Sequence, residues 1–386
     1  MRAPSVDRVA RGANAPSRLP ALDVMRGIVM ILMTVDHASD AFNAGRLFTD
    51  SVNFWTPGSP LPAAQFFTRW VTHLCAPTFV FLAGTALALS TDGRMRRGDT
   101  PGNIDRHLAI RGALLIALDA VWMAPVMLGP GRVLFQVLYA IGASFLFMIP
   151  LRRLEDRALL AVGLGLAILD EPLGMLARAL GIGQSVPVAL LVSGGFYGQG
   201  KFIIAYPALP WLAIMCLGWA FGRRLLSWPV QERETRAARA LSIWGPALLV
   251  VFLVVRGANA FGNMGLLREG GSLVQWLHVS KYPPSIAYDG LELGLAALVQ
   301  AWLFRVTQKN PDFAPPVRIL GQVALFYYLL HIHLMHLVAE VAGVRSKLGV
   351  ESAWLGALGA LLALAPLCVW YRRYKTANPG GWRQYV

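Results

Sequence analysis

The chain alternates between long apolar runs and short polar connections. A bilayer core of about 30 Å is crossed by about 20 helical residues at a rise of 1.5 Å per residue. We find runs of roughly this size at 21–42, 70–90, 108–128, 133–151, 158–178, 203–222, 239–257, 286–305, 318–340 and 353–371. The pattern therefore predicts an all-α fold, a polytopic transmembrane helix bundle.

The segment 158–202 leaves the number of spans open. A first apolar run is interrupted by Asp170-Glu171-Pro172, and a second, shorter run follows at 186–197. These residues could form one crossing plus a re-entrant piece, so the total prediction is about ten to eleven spans. The alternation of basic connections favours an odd number of crossings in this segment.

Basic residues concentrate in every second connection, and this pattern predicts the orientation. Clusters of Lys and Arg lie at 2–18, 94–106, 152–157, 223–236, 305–318 and 372–375. Cytoplasmic loops carry such an excess, so both termini are predicted to be cytoplasmic. The segments near 43–69, 258–285 and 341–352 would face outside. We expect a single membrane domain at 20–372 between cytoplasmic tails at 1–19 and 373–386.

Composition excludes the soluble classes. The chain is 56% hydrophobic and 15% charged, with a mean hydropathy of +0.52. Its 35 basic and 21 acidic residues give a net charge of +14, but the basic residues occur in short clusters between apolar runs, which argues against nucleic-acid binding. The three cysteines lie in apolar segments without the spacing of a disulfide framework or zinc site, and we predict no metal.

Ionisable residues within the predicted spans are candidate functional groups, because they are costly at membrane depth. Asp36, His37 and Asp40 share one face of the first span, and Asp36 would lie about 22 Å along that helix. In the second span, Arg69 and His73 are one turn apart near the outer surface.

Two later segments bring further polar groups to the same depth. The ninth span contains His331, His333 and His336, and the connection before the eighth span contains Lys281 and Tyr282. Polar groups from four segments at one depth favour a water-accessible cavity over unrelated core histidines. The alternative is structural, with Asp36 and Asp40 simply paired with Arg69.

The inner end of the first span carries a second candidate. Asp23 and Arg26 are three residues apart near the cytoplasmic surface, where Arg26 could bind an anionic ligand or pair with Asp23.

Several of these motifs resemble one known family. The segments Leu22-Asp23-Val24-Met25-Arg26-Gly27, Met33-Thr34-Val35-Asp36-His37 and 68–84 resemble the bacterial branch of the heparan-alpha-glucosaminide N-acetyltransferase catalytic-domain family, also called DUF1624. Lys281-Tyr282-Pro283-Pro284-Ser285 and 327–336 are similar to its later motifs.

The resemblance implies transfer of an acetyl or other acyl group from acyl-CoA on the cytoplasmic side to an amino or hydroxyl group of a sugar outside. The expected partners are the lipid bilayer and a glycan acceptor, and a homodimer is allowed. Lysosomal members use an asparagine near the outer end of the first span and a histidine in the next loop. Here the asparagine position holds His37, and residues 43–68 contain no histidine.

Acyl transfer from a thioester needs a general base, a group that orients it and a donor for the oxyanion. We therefore predict His37 or His73 as the base, oriented by Asp36 or Asp40. The predicted substrate-binding residues are Arg69, Lys281, Tyr282, His331 and His333. Arg26 is the predicted acetyl-CoA contact. A covalent acyl-histidine relay is the alternative to direct transfer.

A transporter that uses the same polar face without bond chemistry is the competing class. Its usual signs are inverted repeats and broken helices in matching halves, and the sequence shows no such pairing. Haem ligation is disfavoured because the spacing of the histidines in the ninth span does not suit stacked bis-histidine sites.

Overall fold

A computed structural model describes residues 19–378 and 380–381. The helices, in chain order, are α1 (Pro20–Phe42), α2 (Ala63–Trp70), α3 (Cys75–Arg96), α4 (Pro101–Leu118), α5 (Ala124–Leu128), α6 (Val137–Leu151), α7 (Asp156–Ala179), α8 (Val186–Val188), α9 (Ala208–Ser227), α10 (Arg233–Ala258), α11 (Leu273–Leu277), α12 (Ile286–Lys309), α13 (Pro315–Gln322), α14 (Ala324–Val341) and α15 (Glu351–Ala377). Two π-helical turns, Asp119–Met123 and Ala189–Ser193, continue α4 and α8. The all-α fold predicted from the sequence is confirmed.

Within the described residues, seven helical segments are long and apolar enough to cross a membrane. They are Ala63–Arg96, Pro101–Leu128, Asp156–Ala179, Arg233–Ala258, Ile286–Lys309, Ala324–Val341 and Glu351–Ala377. The other predicted spans correspond to α6, which has only 15 residues, and to α1 and α9, which are not among these seven segments. The protein is a multi-pass membrane protein, whereas the exact number of spans stays a prediction.

The structure also shows elements that apolar runs do not reveal. The predicted ninth span is broken at Val323 into α13 and α14. Helix α15 continues to Ala377, into the segment predicted as the C-terminal tail. The predicted N-terminal tail lies, except for Leu19, outside the described residues.

A small sheet lies next to the polar site. Its strands are β1 (Val133–Phe135), β2 (Gly195–Tyr197) and β3 (Phe202–Ile204), with β3 in the middle, parallel to β1 and antiparallel to β2. Each strand has only three residues in a glycine-rich region, which explains why the apolar pattern did not predict it. The sheet fixes the chain just before Gln136 and Tyr206, which line the outer cavity described below.

The connections predicted to face outside meet at one end of the molecule. Asn43 bridges to Leu348, the Lys281 amide donates to the Asp50 carbonyl at 2.8 Å, and Trp55 Nε1 donates to Glu269 at 3.1 Å. The basic connections contact one another separately from these, as in the bond from Arg152 Nη2 to Asp105 Oδ1 at 2.6 Å. The bundle thus has two chemically different ends, called here the outer end and the basic end.

Small residues allow close helix contacts at the basic end. Helices in membranes associate through van der Waals packing, so glycines that bring backbones together are favoured. A Cβ atom on Gly27 of α1 would collide with the Val317 carbonyl of α13, and one on Gly321 would collide with the Asp23 carbonyl of α1. Gly27 and Gly321 therefore let α1 and α13 cross in backbone contact.

Candidate active site

Two histidines from helices far apart in sequence are joined at the outer end of the bundle. His37 Nδ1 on α1 lies 2.8 Å from His331 Nε2 on α14. His331 is fully buried, and its Nδ1 lies 3.0 Å from the Tyr327 carbonyl oxygen one turn earlier. On the same pair of helices, His336 Nε2 lies 3.3 Å from Asp40 Oδ2.

The hydrogen-bond chain assigns the protons of this histidine pair. A carbonyl oxygen only accepts, so His331 Nδ1 must carry the hydrogen that reaches Tyr327. In a neutral His331, Nε2 is then an acceptor, and His37 must donate to it from Nδ1. A neutral His37 consequently has its lone pair on Nε2, which is the form a general base requires.

Arg69, in the last turn of α2, connects three segments. Its Nε donates to Asp50 Oδ2 at 2.8 Å, its Nη1 donates to Asp36 Oδ1, and its Nη2 donates to the Tyr282 hydroxyl at 3.2 Å. Arg69 is 6% exposed and Asp50 is 3% exposed, so these are buried ion pairs. The pairing of Asp36 with Arg69, considered from the sequence as the structural alternative, is present.

Asp50 belongs to the connection between α1 and α2 and collects positive groups. Burial alone would raise the pKa of its carboxyl, but neighbouring Arg69, His73 and Lys281 bring that pKa below its ordinary value. His73 Nε2 lies 3.2 Å from Asp50 Oδ2. Asp50 is therefore an ionised anchor that holds Arg69 and His73 in place.

Arg46 is a second guanidinium in the cluster. Its Nη1 donates to the Asp36 carbonyl, its Nη2 lies 3.2 Å from Asp36 Oδ1, and its Nε lies 3.7 Å from Asp40 Oδ1. The sequence reasoning missed both Arg46 and Asp50 because they lie in a non-helical connection, where no periodicity indicates which residues turn inward. The only available signal was their charge close to the outer end of α1.

Lys281 belongs to the connection between α10 and α12, which several hydrogen bonds hold in place at the outer end. His278 Nε2 bonds to the Thr49 carbonyl at 2.7 Å, three residues before Lys281. The buried Arg256 guanidinium donates to the carbonyls of Leu266 and Gln275 at 2.7 and 2.8 Å. The Lys281 side chain is 3% exposed, and its Nζ lies 5.3 Å from the centre of the Tyr282 ring.

A small cavity of about 40 Å³ opens in front of His37. Its wall combines charged, polar and apolar side chains from six parts of the chain. They are Met33, Asp36, His37, Thr72, Cys75, Ala76, Phe79, Gln136, Val137, Tyr206, Lys281 and Tyr328. We call this the outer cavity.

A larger cavity of about 300 Å³ extends from there toward the basic end. Arg26, Arg111 and Lys375 line it together with a mostly apolar wall that includes Met30 and Ala83. Met33, Phe79, Val137 and Tyr328 line both cavities. This inner cavity and the outer cavity are therefore neighbours, with Arg26, Arg111 and Lys375 lining the first and His37 lining the second.

Arg111 and Arg26 differ in how their charge is balanced. Arg26 Nη1 donates to Asp23 Oδ1 at 2.8 Å, as the sequence spacing allowed. Arg111 lies over the Phe145 ring at 5.3 Å, its Nε is buried without a hydrogen-bond partner, and no carboxylate oxygen of the described residues lies within 4.0 Å of it. Arg111 is thus a better candidate than Arg26 for binding an anionic group.

The predicted site residues separate into three groups. Asp36, His37 and Lys281 line the outer cavity. Asp40, Arg69, His73, Tyr282 and His331 lie behind them and contact them directly or through Arg46, Arg69 or Asp50. His333 does not line the outer cavity. Its ring stacks on Trp122 with 4.5 Å between centroids.

Further polar groups of the outer cavity were not predicted. Gln136 follows strand β1, and Tyr206 follows strand β3. The backbone N–H of Gln136 donates to Asp119 Oδ2 at 2.6 Å, which fixes the chain at Gln136. Because the sheet was not expected, neither residue could be assigned to the site from the sequence. Tyr328 follows Tyr327 in a recognised motif, but its direction depends on the break before α14.

The comparisons with known proteins agree with this architecture. The model of the family described as heparan-alpha-glucosaminide N-acetyltransferase, catalytic, matches residues 18–256. No curated protein sequence matches the chain. The matched range includes Asp36, His37 and Arg69, whereas Lys281 and His331 lie beyond it. The chain belongs to the heparan-alpha-glucosaminide N-acetyltransferase catalytic-domain family.

Proposed function

We propose that the protein is a membrane acyltransferase that takes an acetyl or other acyl group from acyl-CoA and transfers it to an amino or hydroxyl group of a sugar. The observation that carries the proposal is the pair of neighbouring cavities between the basic end and His37. Two cavities in this arrangement would let a donor and an acceptor approach one point from opposite sides of the membrane.

Residues at the basic end suit the CoA part of the donor. Arg111, which lacks a carboxylate partner among the described residues, lies at the inner cavity together with Arg26 and Lys375. Guanidinium groups bind phosphates through charge-assisted hydrogen bonds. The apolar wall beyond them would contact the part of acyl-CoA that carries the acyl group. The thioester would then lie next to Tyr328 and His37.

At the outer end, His37 is proposed to remove the proton from the acceptor. Its Nε2 lone pair is fixed by the bonds through His331 to the Tyr327 carbonyl, so His331 is a positioning residue in this mechanism. Lys281 is proposed to stabilise the oxyanion that forms when the acceptor attacks the thioester carbonyl. His37 then returns the proton to the departing thiolate.

Charge at the two ends supports a direction for the reaction. The basic connections lie at the end where the inner cavity carries Arg26, Arg111 and Lys375. Because cytoplasmic loops are enriched in Lys and Arg, we place this end and both termini in the cytoplasm of a bacterium, and the acceptor outside its inner membrane.

Turnover of acetyl-CoA by the purified protein tests the proposal. We expect thiol release in the presence of a cell-envelope glycan extract, and a loss of about 10²–10⁴-fold in His37→Ala, the range typical for removal of a general base. His333→Phe is the matched control on α14, because it keeps an aromatic ring against Trp122 and leaves the cavities unchanged. Equal turnover in wild type and His37→Ala would reject the mechanism, and transport without thiol release would favour the transporter class.

A further inference from the structure

The outer cavity is too small to enclose the acceptor that the proposed function requires. It measures about 40 Å³, whereas pockets that enclose a small molecule usually measure about 300–1,000 Å³. A sugar can therefore bring its reacting group to His37 only if part of the outer end moves. The connection that follows α1 is the candidate, because it brings a side chain into contact with Asp36 in the cavity wall.

Residues 44–49 of this connection, called here the outer strap, are held at both ends. The Ala44 amide donates to the Leu348 carbonyl at 2.9 Å, and the Thr49 carbonyl lies 2.7 Å from His278 Nε2. The residues between these anchors are partly or fully exposed. The middle of the strap can therefore move outward while both of its ends stay in place.

Arg46 joins the middle of the outer strap to α1. Its Nη1 donates to the Asp36 carbonyl, its Nη2 lies 3.2 Å from Asp36 Oδ1, and its Nε lies 3.7 Å from Asp40 Oδ1. The guanidinium lies over the Phe48 ring at 4.9 Å, and Phe48 is 57% exposed. Arg46 is thus placed between the acids of α1 and an exposed ring of its own segment.

Two arginines share Asp36, and they are held to different degrees. Arg69 bonds through all three of its nitrogens, with Nε on Asp50, Nη1 on Asp36 and Nη2 on the Tyr282 hydroxyl. By contrast, Arg46 Nε is buried without a hydrogen-bond partner among the described residues. Arg46 is therefore the cation that can leave Asp36 at the lower cost.

The fixed charges beside the outer cavity balance while Arg46 is in place. Three carboxylates and three cations lie there, Asp36, Asp40 and Asp50 with Arg46, Arg69 and Lys281. Outward movement of Arg46 leaves the carboxylates with an excess of one negative charge. An uncompensated buried charge is costly, so another cation is needed in its place. An amine, which is mostly an ammonium ion at neutral pH, meets this need, whereas a neutral hydroxyl does not.

We propose that Arg46 occupies the place beside Asp36 that the ammonium of an amine acceptor takes, and that the outer strap moves outward with Arg46 as the acceptor enters. The proposal rests on the acyltransferase function proposed above and makes Arg46 a residue that selects the acceptor by its charge. The bound ammonium gives one proton to solvent and a second to His37 Nε2 as its nitrogen bonds to the thioester carbonyl carbon. The carbon–sulfur bond breaks, the thiolate receives the second proton from His37, and the products are the amide, CoA thiol and one proton.

The dependence of turnover on acceptor concentration tests the role of Arg46. Purified full-length protein in detergent is given acetyl-CoA and a dilution series of a cell-envelope glycan extract, and thiol release is followed. A second portion of the extract is first treated with acetic anhydride in bicarbonate, which blocks free amines and leaves most sugar hydroxyls free. The variants are Arg46→Gln and Arg46→Lys. Arg345→Gln is the matched control, because it removes a partly exposed arginine that pairs with Glu340 in another outer connection.

We expect Arg46→Gln to reach half-maximal turnover at an extract concentration about fivefold lower than wild type, the effect of one ion pair. The reason is that the acceptor no longer has to displace a cation. Arg46→Lys keeps the charge on a single nitrogen and should lie between the two, and Arg345→Gln should match wild type. The amine-blocked extract should support no turnover above that without acceptor.

Half-maximal turnover of both Arg46 variants at the wild-type concentration or above, whatever their maximal rates, would overturn the displacement and give Arg46 a structural role. If Arg46→Gln does not fold, Arg46→Lys decides alone. Equal turnover with the amine-blocked extract would also overturn the displacement and leave the acyltransferase function standing. Absence of thiol release by folded protein with either extract would reject the acyltransferase function, and this inference with it.

Discussion

At the scale of single residues, the site depends on buried charges that hold one another in place. Asp50 supports Arg69 and His73, and Arg69 in turn holds Asp36 beside His37. A buried pair that loses one partner leaves an uncompensated charge, which typically costs about 3–5 kcal/mol. Asp50 is therefore expected to matter for stability as much as for activity.

Substitution Asp50→Asn should lower the unfolding temperature of the detergent-solubilised protein by several degrees, because the buried Arg69 loses one of its two counter-charges. The lowered pKa of Asp50 means that its contribution is complete above the usual carboxyl range and is lost only as pH falls through the folded value. The comparison is Asp312→Asn, which removes a partner of Arg318 but is 84% exposed. Equal unfolding temperatures for both variants would contradict the anchoring role.

Lys281 is expected to act on turnover and not on donor binding. Lys281→Gln should lower kcat by about 10²–10³-fold, the range seen when one oxyanion donor is removed. Its affinity for acetyl-CoA should stay near that of wild type, because the CoA contacts lie at the basic end. Lys281→Arg, which keeps the charge, should recover part of the rate. A change in affinity alone would argue for a donor-binding role.

The sequence indicated much of this cluster but not its organisation. Asp36, His37 and His331 stood out because ionisable residues in apolar helices are rare, and helical rise placed them at one depth. Arg46 and Asp50 did not, since the path of a loop depends on the contacts it makes, here with Lys281 and His278. His333 was grouped with His331 although it faces Trp122, because helical spacing alone does not show which face meets the partner helix.

At the scale of elements, the apolar runs located the helices and missed the interruptions. The length of an apolar run predicts a membrane helix well, because a chain in lipid must satisfy its own backbone hydrogen bonds. The sheet around β3 and the break at Val323 depend on tertiary contacts instead. These irregular pieces supply Gln136, Tyr206 and Tyr328 to the outer cavity, so the site was harder to predict than the bundle.

The crossing of α1 and α13 predicts the effect of one added methyl group. Gly321→Ala would push a Cβ into the Asp23 carbonyl, so the two helices must separate near Arg26 and Gln322, which line the inner cavity. We expect a lower unfolding temperature and weaker acetyl-CoA binding. Gly359→Ala is the matched control, because a Cβ there meets no atom within 4 Å. Indistinguishable behaviour of the two variants would show that the crossing tolerates expansion.

At the scale of the whole molecule, two neighbouring cavities lie between the basic end and the outer end. Met33, Phe79, Val137 and Tyr328 line both cavities and form the wall that they share. Because this wall lies between the donor side and the acceptor side, we expect turnover to require access to both cavities.

Filling the inner cavity should block the donor while the fold persists. Ala83→Trp places an indole in the apolar wall beyond Arg111, and we expect loss of acetyl-CoA turnover with His37 and its partners intact. Leu358→Trp, at a side chain that is 54% exposed on α15, is the control for adding an indole to an apolar surface. Full turnover in Ala83→Trp would mean that the donor follows another path.

Binding of acetyl-CoA to the purified, detergent-solubilised protein tests the central claim most directly. By calorimetry we expect saturable binding that free CoA competes for, that ATP does not reproduce and that Ala83→Trp abolishes. Absence of binding by protein that is folded, as judged by a cooperative unfolding transition, would contradict the acyltransferase account and favour a transporter that uses the same outer cavity.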